Sequence, residues 1–271
     1  MPTLHVRACA KVNFFLEITG KRRDGYHTLS TLFQTISLAD ELTFSPAADL
    51  TLTCSDPSLP TDERNLVMRA AMRLRALLRE PKGARIYLKK NVPMGAGLGG
   101  GSSDAAAVLR TLPKLWKRRV PETVLHRCAK SLGADVPFFL TGGLCAASGI
   151  GDRLSPLPSL SKTWLMLVYP GFGVSTKEAY ARVQLPFPDR QSLQRTKPLA
   201  QLFNRFEELV FPDHPELPQI KTLLMEAGAV GVLMSGSGSS VFGIMGSAAQ
   251  GRNVLTRLRQ RYPQSWLVHT C

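Results

Sequence analysis

Residues 93–109 read PMGAGLGGGSSDAAAVL. Five glycines fall between positions 95 and 101, two serines follow at once, and an alanine-rich run begins behind them. The alternating pattern of residues 84–90 predicts a strand before this stretch, and a helix is expected after it, over about residues 102–112. A glycine turn between a strand and a helix suits phosphate. Glycines let the backbone approach an anion, and a helix start offers unpaired N–H groups carrying partial positive charge. Ser102 and Ser103 add hydroxyl donors, and either is placed to cap the helix. The plain alternative is a flexible hinge, which would not need such glycine density directly before two serines.

The stretch contains G-x-G-x-x-G as Gly95, Gly97 and Gly100, yet the better-known cradles fail on context. A Walker A loop needs a lysine after its last glycine, and none follows here. A protein-kinase flap should be joined by V-A-I-K, H-R-D and D-F-G, which do not occur. A dinucleotide fingerprint wants an acidic residue about 20 positions on, where this chain has KLWKRRVPETVL.

Working outward, residues 4–19 read as a long strand, with Val6, Ala8, Ala10, Val12 and Phe14 on one face and Arg7, Cys9, Lys11 and Asn13 on the other. KRRDGYH, residues 21–27, makes a basic turn pivoting on Asp24 and Gly25. Strands are expected near residues 30–44 and 50–54. A helix over 64–79 carries Leu66, Ala70, Leu74, Leu77 and Leu78 on one stripe. Another helix opens at Pro121, and GADVPFFLTGG follows it. The proline- and serine-rich residues 153–163 suit a domain boundary, so the chain divides into an N-terminal domain over 1–155 and a C-terminal one over 156–271. The second half reads as strand 164–169, helix 175–183, two helices between about 198 and 227, strands 229–234 and 240–245, helix 247–261 and strand 265–269. With the extra helices set aside, that is the β-α-β-β-α-β order of a ferredoxin-like domain.

The chain has 271 residues, 44% of them hydrophobic and 20% charged, as an ordinary globular protein does. No apolar run approaches the ~20 residues that span a bilayer, and the first residues lack the shape of a signal peptide, which points to the cytoplasm. Five scattered cysteines form no C-x-x-C pair and read as free thiols. The formal charge of +14 suits nucleic acid, a membrane surface or polyphosphate substrates. An RNA-binding module is the rival reading, but the basic residues are dispersed and no RNP-type stretch occurs. No nucleic-acid or membrane partner is therefore expected.

Taken with its neighbours, the glycine loop resembles the P-x-G-x-G-L-G-S-S-A type motif of the GHMP kinase superfamily. Pro93, Gly95, Gly97, Leu98, Gly99, Ser102 and Ser103 carry the match, with extra glycines at 100 and 101. AKVNFFLEITGKRRDGYH near the start and GVLMSGSGSSVFGI near the end sit where the superfamily keeps its other motifs. With GADVPFFLTGG and ASGIGDRL, they resemble the branch that acts on a cytidine-diphosphate derivative of methylerythritol in the non-mevalonate route to isoprenoids. The resemblance implies an α+β, two-domain fold: an N-terminal domain like domain 2 of ribosomal protein S5 and a ferredoxin-like C-terminal domain. It implies transfer of the ATP γ-phosphate to the acceptor's 2-hydroxyl, with Mg²⁺ expected. Other GHMP kinases, acting on mevalonate or homoserine, are the alternatives within the superfamily.

Carried over by position, the ATP phosphates fall to Pro93, Met94, Gly95, Ala96, Gly97, Leu98, Gly99, Gly100, Gly101, Ser102 and Ser103, with Asn65 near the adenine. Lys11 and Asp135 become the catalytic pair. Asn13, Tyr26, His27 and Tyr180 become contacts to the substrate, Tyr26 and Tyr180 as aromatic faces for the cytosine and His27 as its edge partner. Each has a plainer reading. Lys11 fits a snorkelling surface lysine, Asp135 a helix-exit residue bonding nearby backbone, Asn65 a helix-entry residue, and Tyr26 and His27 turn residues of a hairpin. One departure stands out: where the superfamily usually has N-D-L-E, this chain has Asn204, Arg205, Phe206 and Glu207.

Overall fold

A computed structural model describes residues 3–187, 189, 191–194 and 199–271. In chain order the elements are β1 (Leu4–Lys21), β2 (His27–Ala47), β3 (Leu50–Cys54), α1 (Leu66–Leu78), β4 (Gly83–Lys89), α2 (Gly100–Leu115), α3 (Glu122–Lys130), α4 (Val136–Thr141), β5 (Leu144–Ser148) and β6 (Arg153–Pro156). There follow β7 (Trp164–Val168), α5 (Thr176–Ala181), β8 (Phe203–Asn204), α6 (Phe206–Val210), α7 (Glu216–Glu226), β9 (Val232–Met234), β10 (Val241–Met245), α8 (Ala248–Arg261) and β11 (Ser265–His269). The chain clusters into two compact units: residues 1–10, 38–92 and 99–142 in one, and 11–37, 93–98 and 143–271 in the other.

In the first unit β3 runs parallel to β4, which pairs antiparallel with the second half of β2, Glu41 opposite Lys89. Every second residue of β4 is buried, so one sheet face is apolar and takes the helices. Helix α1 starts where Asn65 accepts a hydrogen bond from the Val67 N–H, and it buries Val67, Met68, Ala70, Ala71 and Leu74. The stripe is turned by about one residue from the one read in the sequence, and Leu77 points outward. Helix α2 is almost wholly interior, its alanines and leucines meeting α1 and the sheet. It continues past the expected end at Leu112 to Leu115, through Pro113, which has no N–H to donate to the preceding turn. The Trp116 indole N–H closes the core by donating to Gly83 O at 3.0 Å.

In the second unit β7, β9, β10 and β11 form an antiparallel sheet of order β11-β7-β10-β9. With α7 before β9 and α8 between β10 and β11, this is the ferredoxin-like arrangement expected from the sequence. Leu217, Ile220 and Leu224 of α7 and Val254 and Leu258 of α8 share a core with Met166, Val168, Val241 and Met245 of the sheet. The expected pair of helices before β9 is α6 and α7; residue 198, where that expectation began, lies outside the described residues. The same unit holds the first half of β2 paired with β5, β5 paired with β6, and the second half of β1 parallel to the short β8. Strands β5 and β6 were not legible as strands. They are five and four residues long and carry little alternation.

Candidate active site

The glycine loop alternates conformation. Gly95, Gly97 and Gly99 have φ of +62°, +74° and +69°, while Ala96 and Leu98 between them are buried. The apolar side chains anchor the loop and the glycines turn it, an alternation of the kind from which anion-binding backbone nests are built. Gly97 is fixed by space as well as by φ: a Cβ there would lie 1.9 Å from Ser235 O. Helix α2 opens at Gly99, not at a serine as expected. Ser103 lies a full turn further on and spends its hydroxyl proton on Cys9 O at 2.7 Å, so neither serine caps the helix.

Within the second unit two segments, β1 and the SGSGSS turn over 235–240, converge on this loop. The Lys11 N–H donates to Leu98 O at 3.0 Å, Ser235 Oγ donates to Gly97 O at 2.9 Å, and the Ser240 N–H donates to Ala96 O at 3.2 Å. Lys11 Nζ is 3.2 Å from where a Cβ on Gly236 would stand, which places its amine against the SGSGSS turn. Lys11 is therefore not a snorkelling surface lysine; it is buried, as is Asn13. The expected solvent face of β1 disappears in this stretch because both faces are covered. A chain of hydrogen bonds holds the amine: Lys11 Nζ donates to Asn13 Oδ1 at 2.6 Å, Asn13 Nδ2 to Thr31 Oγ1 at 2.7 Å, and Thr31 Oγ1 to Phe15 O at 2.6 Å.

Asn204 braces the turn from the other side. Its Nδ2 donates to Met234 O and Gly236 O at 2.7 and 2.8 Å, and its Oδ1 accepts the Phe206 N–H. Glu207 accepts the Met234 N–H at 2.8 Å and the Lys221 amine at 2.5 Å. Arg205 points into the interior and forms a fork with Glu17, at 3.0 and 2.8 Å, with both side chains fully buried. The sequence marked this segment as unusual without showing what it holds.

The three aromatic candidates lie in the same unit. Tyr26 is 62% exposed at the tip of the β1–β2 turn. His27 and Tyr180 stack directly, ring centres 5.2 Å apart and planes 13° from parallel, and Tyr180 meets Phe206 edge-on. Burial, followed by the Lys21 charge, lowers the His27 pKa below its ordinary value. Its Nε2 is buried and has no hydrogen-bond partner among the described residues.

In the first unit Asp135 stands half-buried immediately before α4, with Pro137 in the first turn. Its side chain makes no capping bond to that helix. Asn65 does take its plainer role: Oδ1 caps α1 and Nδ2 donates to Pro60 O. A feature with no counterpart in the sequence reading lies beneath the start of α2. Lys90 Nζ donates to Asp40 Oδ2 and to Asp104 Oδ2, the latter at 3.1 Å, with all three side chains buried.

Residues 65–143 match the GHMP kinases N terminal domain and residues 187–264 the GHMP kinases C terminal domain. The chain belongs to the GHMP kinases. This GHMP kinase is 43% identical to a 4-diphosphocytidyl-2-C-methyl-D-erythritol kinase of Chlorobium phaeobacteroides (strain BS1), over 97% of this chain and 96% of that one. It is 41% identical to the kinase of the same name from Syntrophus aciditrophicus, covering 98% and 97%. The crystal structure of a 4-(cytidine 5'-diphospho)-2C-methyl-D-erythritol kinase superposes with a TM-score of 0.86 at 38% identity, over 98% and 99% of the two chains. A homoserine kinase from Cytophaga hutchinsonii shares the fold, with a TM-score of 0.71 at 20% identity. The GHMP kinase fold, α+β with a ferredoxin-like C-terminal domain, is thus the one the sequence motifs implied.

Proposed function

We propose that this GHMP kinase transfers the γ-phosphate of ATP to the 2-hydroxyl of 4-diphosphocytidyl-2-C-methyl-D-erythritol. The observation that carries the reading is identity above 40% to kinases of that name along nearly the whole of both chains. Homoserine and mevalonate kinases share the fold at 20% identity or less.

Phosphoryl transfer asks for alignment of the reacting oxygens, an acceptor for the hydroxyl proton and positive charge on the moving group. The N–H groups from Gly95 to Ser102 hold the ATP phosphates in this reading, and Ser103 closes the first turn of the helix behind them. Asp135 takes the proton as the 2-hydroxyl oxygen attacks the γ-phosphorus and the bond to the β–γ bridging oxygen breaks. Lys11 offsets the negative charge that develops, and Asn13 keeps its amine in place. Asn65 acts on the adenine side through the helix end that it caps, since both ends of its amide are bonded within the protein.

The cytosine is recognised by Tyr26 and His27. The free His27 Nε2 supplies an edge hydrogen bond, and the exposed Tyr26 ring supplies a face. Tyr180 already lies against the imidazole and serves to fix its plane. Among the described residues no cluster of carboxylates, histidines or cysteines could hold a metal. The Mg²⁺ of a nucleotide takes most of its ligands from phosphates and water; of the two loop serines Ser102 is the one proposed to add a hydroxyl, since Ser103 donates to Cys9 O. The ion's role there is to neutralise phosphate charge. No disulfide joins any of the five cysteines among the described residues. Among the described residues no helix is long and apolar enough to cross a membrane.

A phosphate-transfer assay offering 4-diphosphocytidyl-2-C-methyl-D-erythritol, mevalonate and homoserine in parallel tests the reading. Turnover of the first alone is expected; preference for either of the others would sink it.

A further inference from the structure

The Lys90, Asp40 and Asp104 cluster lies outside the residues that the proposed chemistry uses, and it joins three separate elements of the first unit. Asp40, on β2, accepts the backbone N–H groups of Asn91 and Val92 on Oδ1, at 2.6 and 2.9 Å. Those are the last residues before the glycine loop. Its Oδ2 receives Lys90 Nζ, and the same amine reaches Asp104 Oδ2 on α2. Lys90 Nζ also passes 3.3 Å from where a Cβ on Gly100 would stand, with Val92 3.0 Å from the same point. Gly100 is the first residue of α2, so one ammonium group touches both the chain entering the loop and the helix leaving it. Asp104 Oδ1 is buried with no hydrogen-bond partner among the described residues.

We propose that Lys90, Asp40 and Asp104 are positioning residues for phosphate binding, which tie the exit of β4 to the start of α2 with a proton retained on Asp104. The proposal rests on the reading of the glycine loop as the ATP site. A protonated Asp104 leaves the cluster with one ammonium and one carboxylate, and so neutral. Loss of that proton would leave a net negative charge, poorly screened by solvent, beneath the N–H groups of the helix start. Burial, partly opposed by Lys90 and reinforced by Asp40, pushes the Asp104 carboxyl up to about 8, and no other charged group acts on it. A further titratable group of the same unit is the Cys9 thiol, on the residue whose carbonyl Ser103 bonds, and burial raises that thiol too.

The test is direct titration of the full chain with ATP between about pH 6.5 and 9.5, with KM for ATP and for the acceptor measured over the same range. In the wild-type protein the ATP dissociation constant is expected to rise at least fivefold across the alkaline half, while KM for the acceptor stays within twofold. Asp104→Asn, which cannot ionise, should flatten that rise to less than twofold. Lys90→Met should weaken ATP about tenfold at pH 7 and leave the acceptor KM unaffected. If Lys90→Met does not fold, the Asp104→Asn profile alone decides. An alkaline rise that persists in Asp104→Asn would overturn the proposal. ATP bound by the wild type with a pH-independent affinity would overturn it while sparing the reading of the loop; absence of ATP binding at every pH would end both.

Discussion

Ser235 Oγ donates a hydrogen bond to Gly97 O while the carbonyl of Ser235 fills the space where a side chain on Gly97 would begin. The two glycine-rich turns of the second unit are thus packed backbone to backbone. Gly97→Ala would set a methyl carbon 1.9 Å from a carbonyl oxygen at a residue whose φ is +74°. One turn has to move. The expected result is a rise of at least tenfold in KM for ATP and a loss of ~2–4 kcal/mol in stability. Chemical denaturation and ATP titration of the same variant check both parts.

Asp135 and Lys11 should separate by kinetic signature. Asp135→Ala is expected to abolish turnover and leave ATP affinity within a few-fold of wild type, because its side chain caps nothing. Asn13→Ala removes an acceptor that holds Lys11 Nζ while the lysine and its charge remain. It should lower kcat by ~10- to 100-fold with a smaller effect on KM for ATP. Near-normal turnover by Asp135→Ala would refute the assignment of the proton acceptor.

Tyr26 and His27 should affect only the cytidylated substrate. Tyr26→Ala is expected to raise KM for that substrate by ~10-fold, as the loss of one stacked ring would, and to leave KM for ATP unmoved. His27→Phe keeps the contact with Tyr180 and removes the free Nε2, so a matching rise is expected there. Equal effects of either variant on both substrates would count against a cytosine site at this turn.

How much of this was readable in advance depends on how local the cause is. The strand of β1, the helices α1 and α8 and the ferredoxin-like order follow from short-range periodicity and were legible. So was the glycine loop, because its residue types and their spacing carry the chemistry. The burial of Lys11 was not, since alternation along β1 says nothing about a second layer covering the polar face. Asp104 gave no signal either. An aspartate in the first turns of a helix is ordinary, and only the fold brings Lys90 and Asp40 to it from 14 and 64 residues away in sequence.

The same carboxyl makes stability depend on pH. A folded-state pKa of about 8, above the ordinary carboxylate value of 3.8, means the native protein holds a proton that the unfolded chain has released. That contribution is fully present below about pH 4 and is lost as pH rises through about 8, at a slope of up to ~1.4 kcal/mol per pH unit. Urea unfolding at a series of pH values should show wild-type stability falling towards alkaline pH, with that component missing in Asp104→Asn.

The buried fork between Arg205 and Glu17 should be costly to break from one side. Arg205→Met leaves the Glu17 carboxylate buried without its cation and is expected to cost ~3–5 kcal/mol. Glu17→Leu combined with Arg205→Met should recover much of that loss, and a double-mutant cycle by denaturant unfolding measures it.

Asn204 and Glu207 together hold both the carbonyl and the N–H of Met234, the residue from which the SGSGSS turn departs. The two positions between them have no share in that grip; they turn towards Glu17 and the apolar core. An arginine can therefore stand at the second position of this segment, where the usual motif is acidic, reversing the sign of the charge at that one position without loosening the hold on the turn. The outer pair keeps the geometry, and the inner pair is open to change for any partner the surrounding interior comes to offer.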